Sequence, residues 1–154
     1  MNLKEIGKVK VDKGFNLVID QTYKAGLKGL DGFSHLLITW WADHFDDEES
    51  RTYLTCQKPY KTGPDELGIF ATRSPIRPNP ICVTVISVKD IDFEKGIVST
   101  YYIDAEDETP ILDIKPYYPC SDRVRDFKSP KWCDFLPGDI ESSASFDWSK
   151  FFNF

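Results

Sequence analysis

Leu67-Gly68-Ile69-Phe70-Ala71-Thr72-Arg73-Ser74-Pro75-Ile76-Arg77-Pro78-Asn79-Pro80-Ile81-Cys82-Val83-Thr84-Val85-Ile86 sets two apolar runs on either side of a proline-rich decapeptide. Pro75, Pro78 and Pro80 each fix their own φ and bias the preceding residue towards extended backbone. The decapeptide Ala71–Pro80 is therefore neither helix interior nor central strand. It reads as a stiff loop joining strands at Gly68–Thr72 and Ile81–Lys89. Two guanidiniums, Arg73 and Arg77, held four residues apart on so rigid a connection point to a binding site for something anionic and planar.

Working outward, Ile6 to Val11 and Phe15 to Ile19 flank the turn Asp12-Lys13-Gly14 and read as an opening β-hairpin. Gly26, Gly29 and Gly32 punctuate a turn-rich segment; their spacing is not the dinucleotide-binding fingerprint. His35 to Trp41 is a buried strand by its β-branched and aromatic content. Asp46 to Tyr53 is the best helix candidate, with acids in its first turn, and Lys58 to Pro64 is a loop. Further strands are predicted at Ile97–Asp104 and Ile111–Ile114, with a hairpin turn over Asp92–Gly96. The fold expected is mainly β: a compact antiparallel β-barrel with one or two short helices. The alternation of a doubly wound α/β fold is missing. After Pro119 the chain is irregular but keeps Trp132, Phe135, Phe146, Trp148, Phe151, Phe152 and Phe154. That many aromatics do not belong to a solvated tail; the C-terminal tail is expected to wrap the barrel or pack on a second subunit. Residues 1–154 read as a single domain, with a core over 5–120 and a wrapping tail over 121–154.

The chain has 25 acidic against 19 basic residues, a net charge of −6. That balance argues against a dedicated nucleic-acid binder. It conceals segregation, however. Asp43, Asp46, Asp47, Glu48 and Glu49 form an acidic cluster, whereas Lys115, Arg123, Arg125, Lys128 and Lys131 outnumber Asp122 and Asp126 in one short segment. A local basic surface on an acidic protein follows. No stretch approaches the roughly 18 apolar residues of a membrane span, and no apolar core follows Met1, so no membrane role is expected and the cytoplasm is the expected compartment. Cys56, Cys82, Cys120 and Cys133 lack metal or redox spacing. No metal is expected, and the cysteines read as free thiols in or near the core.

No Walker loop, H-E-x-x-H or G-x-S-x-G is present. Strand alternation places Ser34 and His35 on opposite faces, which would prevent a dyad, and His35 reads as a core histidine. His44, beside Asp43 at a strand end, stands where ligand contacts gather. Asp104, Asp107, Asp113 and Lys115 cluster in one run. Asp113 and Lys115 share a strand face, with Leu112 and Ile114 on the other. Near Arg73 and Arg77 such charges form either a structural network or a polar site.

Gly68 to Ile81, G-I-F-A-T-R-S-P-I-R-P-N-P-I, closely resembles the signature of the TrmO/TsaA (YaeB-like) family. The resemblance continues in Gly29-Leu30-Asp31-Gly32-Phe33-Ser34-His35-Leu36 and in the D-x-x-D-x-T-P-x-L-D-I-K-P-Y of Asp104 to Tyr117. Three blocks in order span roughly residues 5 to 120. The resemblance implies a compact β-barrel, a homodimer, and an S-adenosyl-L-methionine-dependent methyltransferase of tRNA. Its implied reaction is N6-methylation of threonylcarbamoyladenosine at position 37. By the same resemblance, cofactor contacts fall on Asp43, His44, Arg73, Val83, Tyr101, Tyr102, Ile103 and Asp104. Arg77, Asn79, Asp113, Lys115 and Tyr117 are candidates for the RNA side, with Arg77 alternatively pinning the loop. The chain departs from the pattern where longer members carry a Pro-Arg-Gln-Pro-Gly-like loop, here the tight turn Val11-Asp12-Lys13-Gly14-Phe15. Cys82 and Glu108 stand where glycines are usual, and the aromatic tail stands where longer members extend. Two other readings share the barrel: a non-catalytic module for an adenosine-containing ligand or RNA, and a methyltransferase of small molecules.

Overall fold

Val9 and Leu17 face each other across the opening hairpin, and both are fully buried. A computed structural model describes residues 2–153; Met1 and Phe154 lie outside them. In it β1 (Gly7–Val11) and β2 (Phe15–Ile19) run antiparallel. The two strands approach so closely at Gly7 that a Cβ there would lie 2.3 Å from the Val18 carbonyl oxygen, so only glycine fits. β3 (His35–Trp41), β6 (Ile81–Asp92), β7 (Ile97–Thr100) and β8 (Pro110–Pro116) complete a closed antiparallel barrel in the order β1-β2-β7-β6-β3-β8. Closure leaves no barrel edge with unpaired backbone groups. Along β3, Leu36 and Ile38 are fully buried while Leu37 and Thr39 face outward with partial exposure. Ile86, Val98, Ile103 and Ile111 meet them inside. Each such side chain contributes about 1.5–3 kcal/mol by leaving water.

The opening hairpin, the strand His35–Trp41 and the turn over Asp92–Gly96 stand as the sequence predicts. Several boundaries do not. Asp46–Tyr53 is not a helix; it holds only a 3-10 turn at Ser50–Thr52, with another at Asp43–Phe45 before it. Its acids are committed locally instead. Asp47 accepts from the Ser50 N–H (2.8 Å), and Asp46 accepts from the Trp41 indole (3.0 Å) and from Arg51 (2.5 Å). Such side-chain bonds compete with helix formation. The expected strand Gly68–Thr72 is replaced by a short pair, β4 (Thr55–Gln57) with β5 (Glu66–Gly68), and a 3-10 turn over Ile69–Ala71. β7 ends at Thr100 rather than at Asp104, where the Thr100 hydroxyl bonds to the Ser87 and Tyr102 carbonyls and turns the chain off the sheet. On β8 the register shifts between Thr39 and Trp40, which pair with Asp113 and Ile111. This bulge at Leu112 breaks the alternation, so Ile111 and Ile114, not Leu112 and Ile114, turn inward. Of the four thiols Cys120 is exposed, on the short helix α1 (Pro119–Asp122), and so lies outside the expected core.

The tail carries a second short helix, α2 (Ile140–Ser143). Its aromatics gather on the loop between β4 and β5. The Tyr60 ring stacks on Phe151 at 4.3 Å and on Trp132 at 5.2 Å. Backbone bonds from Lys61 to the Phe151 carbonyl (2.9 Å) and from Asn153 to the Pro59 carbonyl (3.0 Å) fix the strap, and Thr62 and Lys61 side chains donate to the Trp132 and Ser149 carbonyls. The result is a small apolar cluster centred on Tyr60 and outside the barrel core.

Glu108 adopts φ 68°, a left-handed conformation that costs a side-chain residue about 1 kcal/mol. Its carboxylate pairs with Lys8 and Lys10 across β1. Glu108→Ala and Glu108→Gly both remove these exposed pairs, but only alanine keeps the strain. Urea unfolding should find the alanine variant less stable than the glycine variant by about 1 kcal/mol.

Candidate functional site

The Ala71–Pro80 loop is rigid because Arg77 is built into it. Half-buried, Arg77 donates from Nε to the Ser74 carbonyl (2.7 Å) and from Nη2 to the Thr72 (2.7 Å) and Ile69 (3.3 Å) carbonyls. The Thr72 hydroxyl adds a bond to the Ile69 carbonyl (2.8 Å), and the Ser74 hydroxyl accepts from the Ile76 N–H (3.2 Å). Behind the loop the Tyr60 phenol lies near the Arg73 backbone, and its pKa is raised first by burial. Arg73 itself is exposed and, among the described residues, spends one donor, from Nη2 to the Val83 carbonyl at 3.0 Å. A planar fork of five donors is thus held in place with most of its hydrogen-bonding capacity directed at solvent.

Arg73 borders a cleft of about 860 Å³ at the end of the barrel where β3 and β7 finish. That volume suits a drug-sized or nucleoside-sized ligand. Trp40 lies on the inward side of β3 and donates its indole N–H to the Thr84 hydroxyl (3.0 Å). The Tyr102 ring meets the edge of Phe15, with centroids 5.4 Å apart, and its hydroxyl donates to Asp104 (3.3 Å). Burial first, and then the Asp104 charge, pushes the Tyr102 phenol up. Across the mouth His44 Nδ1 meets the Glu106 carboxylate at 2.9 Å. Burial likewise raises the Cys82 thiol, against the opposing charge of Arg77.

The cleft brings together Asp43, His44, Arg73, Val83, Tyr102, Ile103 and Asp104, seven of the residues singled out as cofactor contacts. Tyr101 follows β7 with 67% of its surface exposed and does not line the cleft. Among the RNA-side candidates only Arg77 borders it, and that guanidinium is engaged by the loop carbonyls. Asn79 accepts from Arg51 (3.3 Å). Asp113 and Lys115 pair with each other on the barrel's outer face, opposite Thr39 and Leu37, so they form no network with Arg73 and Arg77. Tyr117 lies beside His35 in a second cleft. Ser34 precedes β3, so strand alternation does not govern it; contrary to the expectation from sequence, its hydroxyl reaches His35 Nδ1 at 2.9 Å. Sequence reasoning missed Phe15, Trp40, Cys82, Thr84 and Glu106. Trp40, with the inward parity of Leu36 and Ile38, was the recoverable signal; Glu106 sits in a turn that no periodicity describes.

Chemically the cleft offers one guanidinium, the carboxylates of Asp43, Asp104 and Glu106, and aromatic faces from Trp40, Phe15 and Tyr102. It suits a ligand with a carboxylate at one end, cationic or hydroxyl groups for the acids, and a flat apolar part. Among the described residues no group of three or more His, Cys, Asp or Glu is placed to hold a metal ion, and no helix is long and apolar enough to cross a membrane.

A family model described as the tRNA-methyltransferase O N-terminal domain matches residues 6–123. An S-adenosyl-L-methionine-binding protein of Archaeoglobus fulgidus is 34% identical over 70% of this chain and 72% of its own length. The tRNA (adenine(37)-N6)-methyltransferase of Escherichia coli is 32% identical over 80% of this chain and 53% of its own. The crystal structure of TrmO from Pseudomonas aeruginosa superposes with a TM-score of 0.64 at 25% identity, covering 85% of this chain and 61% of that one. The chain thus spans little more than half of the bacterial relative and about three fifths of the solved structure.

The different commitments of the two arginines predict different stabilities. Arg77→Ala strips donors from three carbonyls and should cost about 2 kcal/mol in urea unfolding. Arg73→Ala should stay within about 0.5 kcal/mol of the parent. Because burial raises the Cys82 thiol while Cys120 is exposed, a thiol reagent at pH 8 should modify Cys120 well before Cys82.

Proposed function

We propose that this chain, which belongs to the tRNA-methyltransferase O N-terminal domain family, is an S-adenosyl-L-methionine-dependent methyltransferase acting on N6 of adenine 37 in tRNA, with threonylcarbamoyladenosine as the acceptor. The observation that carries the reading is the Arg73 guanidinium, held by the clamped loop with most of its donors unspent, beside a cleft lined by three carboxylates.

The donor set fits the cofactor. Arg73 would hold the methionyl carboxylate. Asp43 and Asp104 would accept from the amino group and the ribose hydroxyls, while Trp40 and Phe15 would give the adenine a flat apolar wall. Bound there, S-adenosyl-L-methionine supplies a methyl group already activated on a sulfonium. What remains for the protein is alignment of that carbon with the acceptor nitrogen and exclusion of water, the kind of contribution that fixed geometry makes. The carboxylates around the cleft also stabilise positive charge there. Residues 1–154 act as one domain. A homodimer and a cytoplasmic compartment complete the proposal.

Titration calorimetry should detect cofactor binding, weakened at least tenfold by Arg73→Ala with the fold intact. Absence of binding at millimolar cofactor overturns the reading. Mass spectrometry of position-37 nucleosides, in tRNA from cells lacking the protein, should show the methylated form lost. Cofactor binding with that nucleoside unchanged would favour the non-catalytic module.

A further inference from the structure

A second cleft, of about 810 Å³, lies between the outer face of the barrel and the tail. Its floor is His35, Val85 and Tyr117, with the His35 and Tyr117 rings 6.5 Å apart in edge contact. One wall is the tail segment after α1, from which Arg123, Arg125 and Phe127 border the cleft. Among the described residues, no ion pair or hydrogen bond engages the side chains of Arg123, Arg125 or Lys128. Of the two neighbouring acids, Asp122 is committed to the Tyr118 N–H at 2.7 Å, while Asp126 sits within the strip and offsets one of its three positive charges. On the opposite wall Asp139 is likewise spent, capping α2 through the Ser142 N–H at 2.8 Å, which leaves Glu141 as that wall's one uncommitted carboxylate among the described residues. Between the cations Val124 is 70% and Phe127 63% exposed. Uncommitted cations interleaved with exposed aromatic surface, on a protein of net charge −6, form a local feature that overall composition does not predict.

We propose that Arg123, Arg125 and Lys128 form a strip that tracks the phosphates of a single-stranded stretch of RNA, whose bases stack in the second cleft on Phe127, Tyr117 and His35. Free guanidiniums beside aromatic faces are the arrangement that holds single strands without reading sequence. The strip lies almost wholly beyond residue 123, where the family match ends. Its position carries a consequence for the acceptor. His35 opens β3 and Trp40 stands near its other end, so the two clefts are separated by about 17 Å at strand spacing. A nucleoside in the first cleft cannot reach the second, whereas a polynucleotide spans both. The inference rests on the methyl-transfer reading for the choice of RNA, but its test does not depend on catalysis.

The test is tRNA binding by the full chain at several salt concentrations, using an unmodified in vitro transcript, with cofactor binding measured in parallel. The variant Arg123→Ala/Arg125→Ala/Lys128→Ala should bind tRNA at least tenfold more weakly. The slope of log affinity against log salt should shrink by about 2, at roughly 0.7 per lost phosphate contact. Its cofactor affinity should equal that of the parent, which also reports an intact fold. Phe127→Ala should weaken tRNA binding while leaving the salt slope unchanged. Unchanged tRNA affinity and slope in the triple variant overturn the strip and leave the cofactor reading standing. Failure of the parent to bind cofactor, with tRNA binding still sensitive to the strip, overturns the earlier reading alone.

Discussion

The Arg77 guanidinium, bonded to the carbonyls of Ile69, Thr72 and Ser74, is the constraint on which the rest of the site depends. A proline-rich segment is short of amide donors and cannot stiffen itself through ladder bonds. Its carbonyls still need partners once they are partly withdrawn from water. A charged fork within the loop supplies them, and three prolines reduce the number of conformations it has to select among. The neighbouring arginine is consequently free to face outward at a fixed place.

A second support reaches the loop from behind. Tyr60 lies near the Arg73 backbone on one side and stacks on the tail's rings on the other. The aromatic cluster therefore does more than shelter apolar surface. It joins a segment outside the family match to the wall of the first cleft, and places that wall between the barrel and the strap. A loop bonded only to itself would drift as a rigid unit; one backed by a stacked cluster keeps its position relative to the barrel floor formed by Trp40 and Ile103.

Much of the barrel was legible because the sequence is locally consistent. β1, β2 and β3 follow alternation or buried β-branched runs, and the glycine and aspartate of the Asp92–Gly96 turn mark the β6–β7 hairpin. What stayed hidden depended on side chains acting against periodicity. Asp46 and Asp47 look like a helix start but satisfy an indole, a guanidinium and a single amide. The Thr100 hydroxyl ends β7 early, and the Leu112 bulge resets parity on β8. In the site, the loop, the β3 terminus and the Tyr101–Asp104 segment were visible through motif resemblance. Their convergence with Phe15 and Glu106 was not, because barrel closure rather than sequence proximity brings those residues together. Asp113 and Lys115 share a parity but point away from the cleft, a distinction that requires knowing which face of β8 is inside.

Closure of the barrel has a kinetic side. The β1–β8 seam pairs Gly7 with Ile111 and Lys8 with Pro110, so its ends enclose a loop containing most of the chain. Joining such distant segments costs chain entropy that no local contact returns, and pairings of this separation slow folding. Of the barrel's strand pairings this seam joins the residues furthest apart in sequence, beside Glu108 in its left-handed conformation, so its closure carries the largest loop-entropy cost.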